Sequence, residues 1–450
     1  MELMFRSLVA LFIGKLIVFL TRTLKLGGGS AAPGLYALKT DSQLIQRLVS
    51  QIPTNIIITG TNGKTTTARL LNHLLTKQGL KTIRNSTGSN LERGIASALL
   101  MKASFWGEIR HIDVGIWEVD EAAFNTLLPK IKPAVVVFLN AFRDQLDRYG
   151  EVDSVVRKWQ TSLSQVEQSC VLLINGDDSN TSRLEAPKAC SVEYYGLEGS
   201  KIIGERPSTP LRLDNAKLKR ESKKVELTIK AKNIKLMGIS GSDFKLETPE
   251  NSYSVHLPLP GNYQIYNFLA AVSVYRSLNM PMNQTNFELT DFKNAFGRVE
   301  EIIYKGKKGY ILLIKNPVGA TSVFETISQE LTSKDLILGA LNDNFADGKD
   351  VSWIWDAEFE KLADQRTSRS ANQLQIICSG IRAYDLANRF KYAGITQKNV
   401  QVVPELEKVF DEAFTRAEGN VYILPTYTAL LELQKILANK RIKQHYWQEK

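Results

Sequence analysis

The sequence predicts an α/β protein, with a mostly parallel sheet carrying a small β insertion and a smaller α/β unit towards the C-terminal end. Three observations predict it. Apolar runs such as "NIIITG" (55–60), "DVGIWEVD" (113–120), "AVVVFLNAF" (134–142) and "CVLLINGDD" (170–178) each end in a polar or glycine turn and are separated by helical pattern. Buried strands alternating with helices form a parallel sheet covered on both faces. From about 190 to 257 the texture changes to short alternating runs, "KVELTIKAKN" and "NSYSVHLPL", which read as antiparallel strands. After about residue 297 a second strand-and-turn series begins with "YILLIK", "DLILGAL", "LQIICSG" and "NVYILP". A chain of 450 residues suits two or three domains. The expected divisions are an N-terminal segment and loop (1–45), a central domain (46–296) and a C-terminal domain (297–450).

The N-terminal stretch "SLVALFIGKLIVFL" (7–20) is apolar but interrupted by Lys15 and flanked by Arg6 and Arg22, with no small-residue cleavage site. A spanning helix needs about 20 apolar residues. The stretch therefore reads as an amphipathic helix lying on the protein or on a membrane surface, with a membrane anchor as the competing reading. Past it, Ile56 to Ile58 read as a buried strand, and Leu70, Leu71, Leu74 and Leu75 mark one face of the helix that follows.

Composition narrows the function classes. A net charge of +10 favours anionic partners such as nucleotides, phosphorylated substrates or an acidic membrane face. Nucleic acid is not expected, because no basic stripe is interleaved with aromatics and "KLKRESKK" (217–224) reads as a solvated hairpin. Three separated cysteines, Cys170, Cys190 and Cys378, argue against a disulfide framework and suit a reducing cytosol. His73, His111, His256 and His445 show no ligand spacing, so metal bound by His or Cys is not expected.

The clearest chemistry lies in "GTNGKTTT", where Gly60, Thr61, Asn62, Gly63, Lys64, Thr65 and Thr66 join a strand to a helix. Glycines let backbone amides approach phosphate oxygens, and the free N–H groups at the helix start point at the anion. Lys64 would neutralise the β- and γ-phosphates of ATP, and the Thr65 hydroxyl would join a Mg²⁺ shell. The spacing departs from the commonest phosphate loop: Ile58 stands six residues before Lys64, where that loop has its outer glycine.

"GTNGKTTT" has the form used by the Mur ligases and folylpolyglutamate synthases. "NAFRDQLDRYGEVD" (140–153) and "GNYQIYNFLAA" (261–271) resemble two further segments of those enzymes. More narrowly, "EVDEAAF", "FRDQLDRYGE", "GRVE", "KNPVGA", "LNDNFADGKDVSWIWD" and "LPTYTALLEL" resemble the MurT family. The resemblance implies a Mur-ligase-like central ATPase domain and an ATP-dependent carbon–nitrogen ligase. It would amidate the α-carboxyl of D-glutamate in the lipid II stem peptide through an acyl phosphate. The ammonia would come from a GatD-like glutaminase partner. A stand-alone amino-acid ligase of the Mur or folylpolyglutamate type is the alternative, and it leaves residues 341–356 without a task. Gln145 stands where ordinary Mur ligases carry a metal-binding histidine, and Gln264 replaces a common Asn. Many MurT proteins carry a four-cysteine zinc ribbon, whereas 195–250 here has no cysteine, so no zinc is expected. The implied location is cytoplasmic, at the inner face of the plasma membrane if residues 7–20 touch lipid.

The remaining expectations concern single residues. Glu118 is the expected second Mg²⁺ ligand, directly or through water, with a solvated strand-end acid as the bland reading and Asp120 or Glu121 able to share the role. Asn267 is the expected adenine contact. Arg298, at the predicted hinge, reads as a cation reaching the nucleotide on domain closure or as an interdomain ion pair. Lys315 reads as a stabiliser of the acyl phosphate or as a surface lysine. The resemblance places on Asp350 the acid that orients the partner's catalytic imidazole, with Asp347 or Asp356 as fallback and Asp343 as a turn former. Trp353 and Trp355 are expected to alternate in strand fashion and face one side at an interface; the competing reading is a core strand bounded by turn acids.

Overall fold

The structure is a computed structural model, and it describes residues 2–23, 31–85, 89–142, 152–200, 225–292, 298–363 and 374–443. Gln145 and the 217–224 stretch lie outside these residues.

Three helices lead the chain: α1 (Glu2–Thr23), α2 (Ala32–Thr40) and α3 (Leu44–Val49). The first sheet takes β1 (Thr54–Thr59), β2 (Thr82–Arg84), β3 (Val114–Val119), β4 (Val135–Phe138), β5 (Cys170–Asn175), β6 (Cys190–Leu197), β7 (Ile229–Leu236), β8 (Ser242–Glu247) and β9 (Ser252–Leu257). Between and after them run α4 (Lys64–Lys77), α5 (Glu92–Lys102), α6 (Phe124–Ile131), α7 (Val152–Leu163) and α8 (Asn262–Ser277). The strand order is β2-β3-β1-β4-β5-β6-β7-β8-β9. Pairing is parallel as far as β7 and antiparallel beyond it. The antiparallel run expected as an insertion is thus the far edge of the same sheet.

The apolar runs become strands because their side chains are covered on both faces. Ile57 and Trp117 join one core layer, Ile56, Ile58 and Ile116 the other. Leu70, Leu71, Leu74 and Leu75 of α4 all point into the second layer. Burying one such aliphatic side chain contributes about 1.5–3 kcal/mol, which outweighs the weak helix or strand preference of any single residue.

The second sheet takes β10 (Arg298–Tyr304), β11 (Lys307–Leu312), β12 (Leu336–Ala340), β13 (Gln375–Ser379), β14 (Val400–Val402) and β15 (Val421–Pro425), with α9 (Pro317–Ser328), α10 (Ala383–Tyr392), α11 (Leu406–Arg416) and α12 (Tyr427–Asn439). Its order is β10-β11-β15-β12-β13-β14, parallel except for the β10/β11 hairpin.

One expectation changes here. Cys170 and Cys190 form a disulfide, because the parallel register of β5 and β6 sets them directly opposite each other. Spacing along the chain could not reveal that register. The N-terminal stretch is a helix laid on the protein, with Ala10 and Leu11 fully buried. Among the described residues no helix is long and apolar enough to cross a membrane.

Candidate active site

In open parallel sheets ligands bind beyond the carboxyl ends of the strands, where the strand order turns outward from a central pair. Here β1 lies between β3 and β4. The register pairs Ile58 with Glu118 and Thr59 with both Val119 and Phe138. The phosphate loop, Glu118 and Asn140 therefore emerge at one level.

The loop is held from three sides. Gly63 has φ +93°, a left-handed conformation that an L side chain rarely adopts, and a Cβ built there would lie 2.1 Å from Asn267 Oδ1. Only glycine fits, and it opens α4 with its first amides uncovered by a side-chain cap. Asn140 grips Asn62 from β4, accepting from the Asn62 amide at 2.8 Å and donating to the Asn62 carbonyl at 3.0 Å. Thr61 exchanges bonds with Phe142, its hydroxyl donating at 3.2 Å and accepting the Phe142 amide at 3.1 Å.

The two candidate functional side chains of the loop meet acids. Lys64 is 8% exposed. Its ammonium donates to the Gly60 carbonyl, to the Thr61 carbonyl at 3.2 Å and to Glu121 at 3.4 Å. The Thr65 hydroxyl donates to Glu118 Oε2 at 2.6 Å. Glu118 is 2% exposed, so it is not a solvated strand-end acid. Asn85 fixes its backbone from both sides, at 2.9 and 2.8 Å. Arg84 adds a nearby cation: burial lowers its guanidinium below the ordinary range, and the charge of Glu118 pulls it back up. A hydroxyl beside a buried carboxylate at a phosphate loop fits Mg²⁺, which takes one or two carboxylates and completes its shell with phosphate oxygens and water. Among the described residues no cluster of three His, Cys, Asp or Glu side chains offers an all-protein metal cage.

Asn267 is 3% exposed and sits beneath the loop. It accepts from the Thr67 hydroxyl at 3.4 Å and donates to Gln264 at 2.9 Å. Its amide thus faces Gly63 and Thr67. From the other domain, Asn316 reaches the loop. It donates to Asn62 Oδ1 at 3.0 Å and accepts from Asn62 Nδ2 at 3.4 Å. Its own Oδ1 also caps α9 through the Gly319 amide at 2.8 Å. Lys315 is the residue before Asn316 and is thereby carried to the loop's edge. Arg298 opens β10 opposite Leu312, and its side chain lies outside the described residues. The cleft left open between the domains, about 380 Å³, runs between the start of α8 and the later part of α9. It is lined by Gly261, Asn262, Tyr263, Thr326 and Lys361 among others, and by none of the expected site residues.

The structure therefore brings Gly60 to Thr66, Glu118, Glu121 and Asn267 together, with Asn85, Asn140 and Asn316 added. Asn140 and Asn316 lay inside motifs already singled out, but nothing in sequence said that they touch Asn62. Beneath Ala141 a further acid is buried. Asp178 accepts from the Thr181 and Asn180 amides at 2.7 and 3.1 Å, and burial pushes its carboxyl up to about 6. The folded-state value lies above the ordinary 3.8, so folding favours the protonated acid. Stability contributed here is present below pH ~4 and is lost as pH rises through ~6. Two pH units correspond to about 3 kcal/mol. Asp178→Asn keeps the cap and removes the charge, so the variant should gain on the wild type at pH 7 and lose that advantage on going to pH 4. Parallel urea titrations at the two pH values check this. A constant difference would refute it.

Asp350 lies apart from the loop, on the surface of the second domain, where its Oδ1 accepts the Ser352 amide at 2.8 Å. Asp347 is buried, with both oxygens engaged by Thr428. Asp343 lies 3.7 Å from Arg382, and Asp356 is exposed. The tryptophan expectation is corrected. Ser352–Trp355 is a 3₁₀ turn, not a strand, and it lies outside the sheet, in which β12 has β15 and β13 as neighbours. Three residues per turn splay positions two apart. Trp353 is buried, while Trp355 is half exposed, edge-on to Tyr392 at 5.4 Å and 5.6 Å from the Arg389 guanidinium.

Comparison with known proteins agrees with this layout. A family model of the Mur ligase middle domain matches residues 58–275, and one of the MurT ligase C-terminal region matches 313–430. The lipid II isoglutaminyl synthase (glutamine-hydrolyzing) subunit MurT of Streptococcus pneumoniae is 30% identical over 445 residues, covering 93% of this chain and 94% of that protein. Among solved structures, MurF from Acinetobacter baumannii superposes with a TM-score of 0.67 at 17% identity, covering 91% and 81% of the two chains. MurF from Thermotoga maritima in complex with ADP gives 0.63 at 16%, covering 90% and 85%. At such identities these two speak for the fold alone, the α/β architecture expected from the sequence.

Proposed function

The chain belongs to the MurT family, ligase-type subunits of lipid II isoglutaminyl synthase, and on that premise we propose that it is the ATP-dependent half of an amidotransferase acting on lipid II. The substrate's D-glutamate α-carboxylate attacks the γ-phosphorus of ATP and ADP leaves. Ammonia then attacks the acyl phosphate carbon, phosphate leaves, and a proton is lost to give D-isoglutamine. Phosphoryl transfer of this kind depends on positioning and charge compensation.

The residues divide that work. Lys64, released from its carbonyl partners, meets the β- and γ-phosphate oxygens, while the amides of Gly60 to Thr66 cradle them. Thr65 and Glu118 would hold Mg²⁺, which would offset phosphate charge when bound. Asn267 serves the nucleotide from the loop's underside. Lys315, and Arg298 on domain closure, neutralise the acyl phosphate and the nucleotide. The domains 46–296 and 297–450 act as the two jaws. Ammonia comes from a GatD-like glutaminase docked on the C-terminal domain, whose imidazole accepts Asp350 as its orienting acid. The work is done at the cytoplasmic face of the plasma membrane.

The observation that carries this reading is the extent of similarity. It runs through the phosphate-loop domain and through the C-terminal region, whereas a stand-alone Mur-type ligase would share the first and leave the second unexplained. The test is direct. The chain co-purified with a GatD-like glutaminase should convert lipid II to its amidated form in the presence of ATP and glutamine, read by mass spectrometry. Amino-acid addition by the isolated chain instead of amidation would overturn the reading.

A further inference from the structure

Helix α1 has an inner face that the protein covers and an outer face that it does not. Ala10 and Leu11 are buried, and a Cβ built at Gly14 would lie 2.6 Å from the Leu100 side chain of α5. Small residues thus let α1 press against α5. The opposite stripe, Phe12, Leu16 and Leu20, is 62%, 44% and 44% exposed. Positions i, i+4 and i+8 lie along one side of a helix, so this is a continuous apolar ridge. Beside it stands the turn after α5, with Phe105 69% and Trp106 78% exposed. Lys15 ties the two together. Its ammonium donates to the carbonyls of Leu100 and Ala103, at 3.1 and 2.5 Å, and lies 5.1 Å from the centre of the Phe105 ring.

Charge says what fits this surface. From Arg6 to Leu20 the helix has no Asp or Glu, and Arg6 and Lys15 are its charged residues. Lys39 and Lys102 are exposed on the adjoining helices. The nearby acids are compensated within the fold, Glu108 by Arg110 at 2.6 Å and Asp41 by Arg47 and Ser7. A basic rim around aliphatic and aromatic side chains, with no spanning helix, is the arrangement that lies in the headgroup layer of an anionic bilayer. Aromatic rings at the edge of such a patch sit at the headgroup level of a bilayer.

We propose that the outer face of α1 together with the Phe105–Trp106 turn is a docking surface for an anionic lipid bilayer, holding the protein flat on the membrane without crossing it. The choice of a bilayer rests partly on the reading above, in which the substrate is lipid-linked. The surface adds to that reading a second contact, the aromatic turn, supplied from outside the N-terminal helix.

The test uses the full chain and vesicles that contain no lipid II. The protein should float with phosphatidylglycerol vesicles and much less with phosphatidylcholine vesicles, and raised salt should weaken the binding. Phe105→Ser with Trp106→Ser should reduce the partition coefficient at least ~10-fold, since two buried aromatic rings are lost from the apolar phase. Phe12→Ser, far along the chain, should reduce it in the same direction. On the wild-type protein, brominated phosphatidylglycerol should quench fluorescence that Trp106→Phe lacks, a measurement independent of how the serine variants fold. Absence of vesicle binding, binding indifferent to these substitutions, or a dimer in solution that the same substitutions dissociate would overturn the proposal. Failure to bind vesicles with amidation intact would sink the surface alone, while binding without amidation would sink the functional reading alone.

Discussion

Lys64→Ala should abolish amidation of lipid II with glutamine and with added ammonium alike, lowering both rates roughly a hundredfold or more. The argument begins at the loop. In the structure the Lys64 ammonium is enclosed by the Gly60 and Thr61 carbonyls and by Glu121. A cation buried among carbonyls sits where an anion can take their place, and two phosphate groups are the anion that the α4 amides select. Without it, the charge that develops on the transferred phosphoryl group loses the cation that the loop itself supplies. The nitrogen source is irrelevant to this step, so both assays fall together. The substitution also strands Glu121, which is 7% exposed and lies 3.4 Å from the ammonium. Leaving a buried carboxylate unpaired is destabilising, so loss of folding must be separated from loss of chemistry. Lys64→Ala combined with Glu121→Gln restores neutrality. It should recover thermal stability and recover no activity. Amidation surviving in Lys64→Ala with either nitrogen source would refute the phosphate-site assignment.

How much of this was legible in sequence depends on how local the determining physics is. Ile56 to Ile58 and the leucines of α4 were readable because burial imposes a pattern within a dozen residues, and the phosphate loop because close backbone approach demands Gly63. The level of Glu118 with the loop depends on the β1/β3 register, which a strand-end acid suggests but does not specify. The Cys170–Cys190 pairing depends on another such register and was misread from odd count and spacing. The Asn62–Asn316 bonds join residues 254 apart and exist only because two domains dock. Trp353 and Trp355 went wrong for a different reason. An alternating apolar pattern looks the same in a strand and in a short 3₁₀ turn, and no sequence feature within four residues separates the two.

Asp350→Asn should separate the two half-reactions, lowering glutamine-driven amidation by roughly ten-thousandfold while synthesis from ammonium chloride continues near the wild-type rate. An imidazole acting as base needs a fixed tautomer and a compensating charge once protonated, and an amide supplies neither in the right orientation. The local structure favours a clean result. The Oδ1 of Asp350 accepts the Ser352 amide two residues on, an Asx turn ahead of the 3₁₀ turn, and asparagine makes such a turn about as well as aspartate. The turn that positions Trp353 in the core should therefore persist. The competing acids differ in what they can offer. Asp347 is buried with both oxygens taken by Thr428, so presenting it to a partner would break two bonds. Asp356 is exposed and carries no such cost, which makes Asp356→Asn the discriminating variant. Parallel assays with glutamine and with ammonium decide among the outcomes. Selective loss in Asp350→Asn assigns the acid there, and selective loss in Asp356→Asn moves it six residues along. Equal loss from both nitrogen sources in Asp350→Asn would mean that this side chain acts in the ligase reaction and is not the acid lent to a neighbouring imidazole.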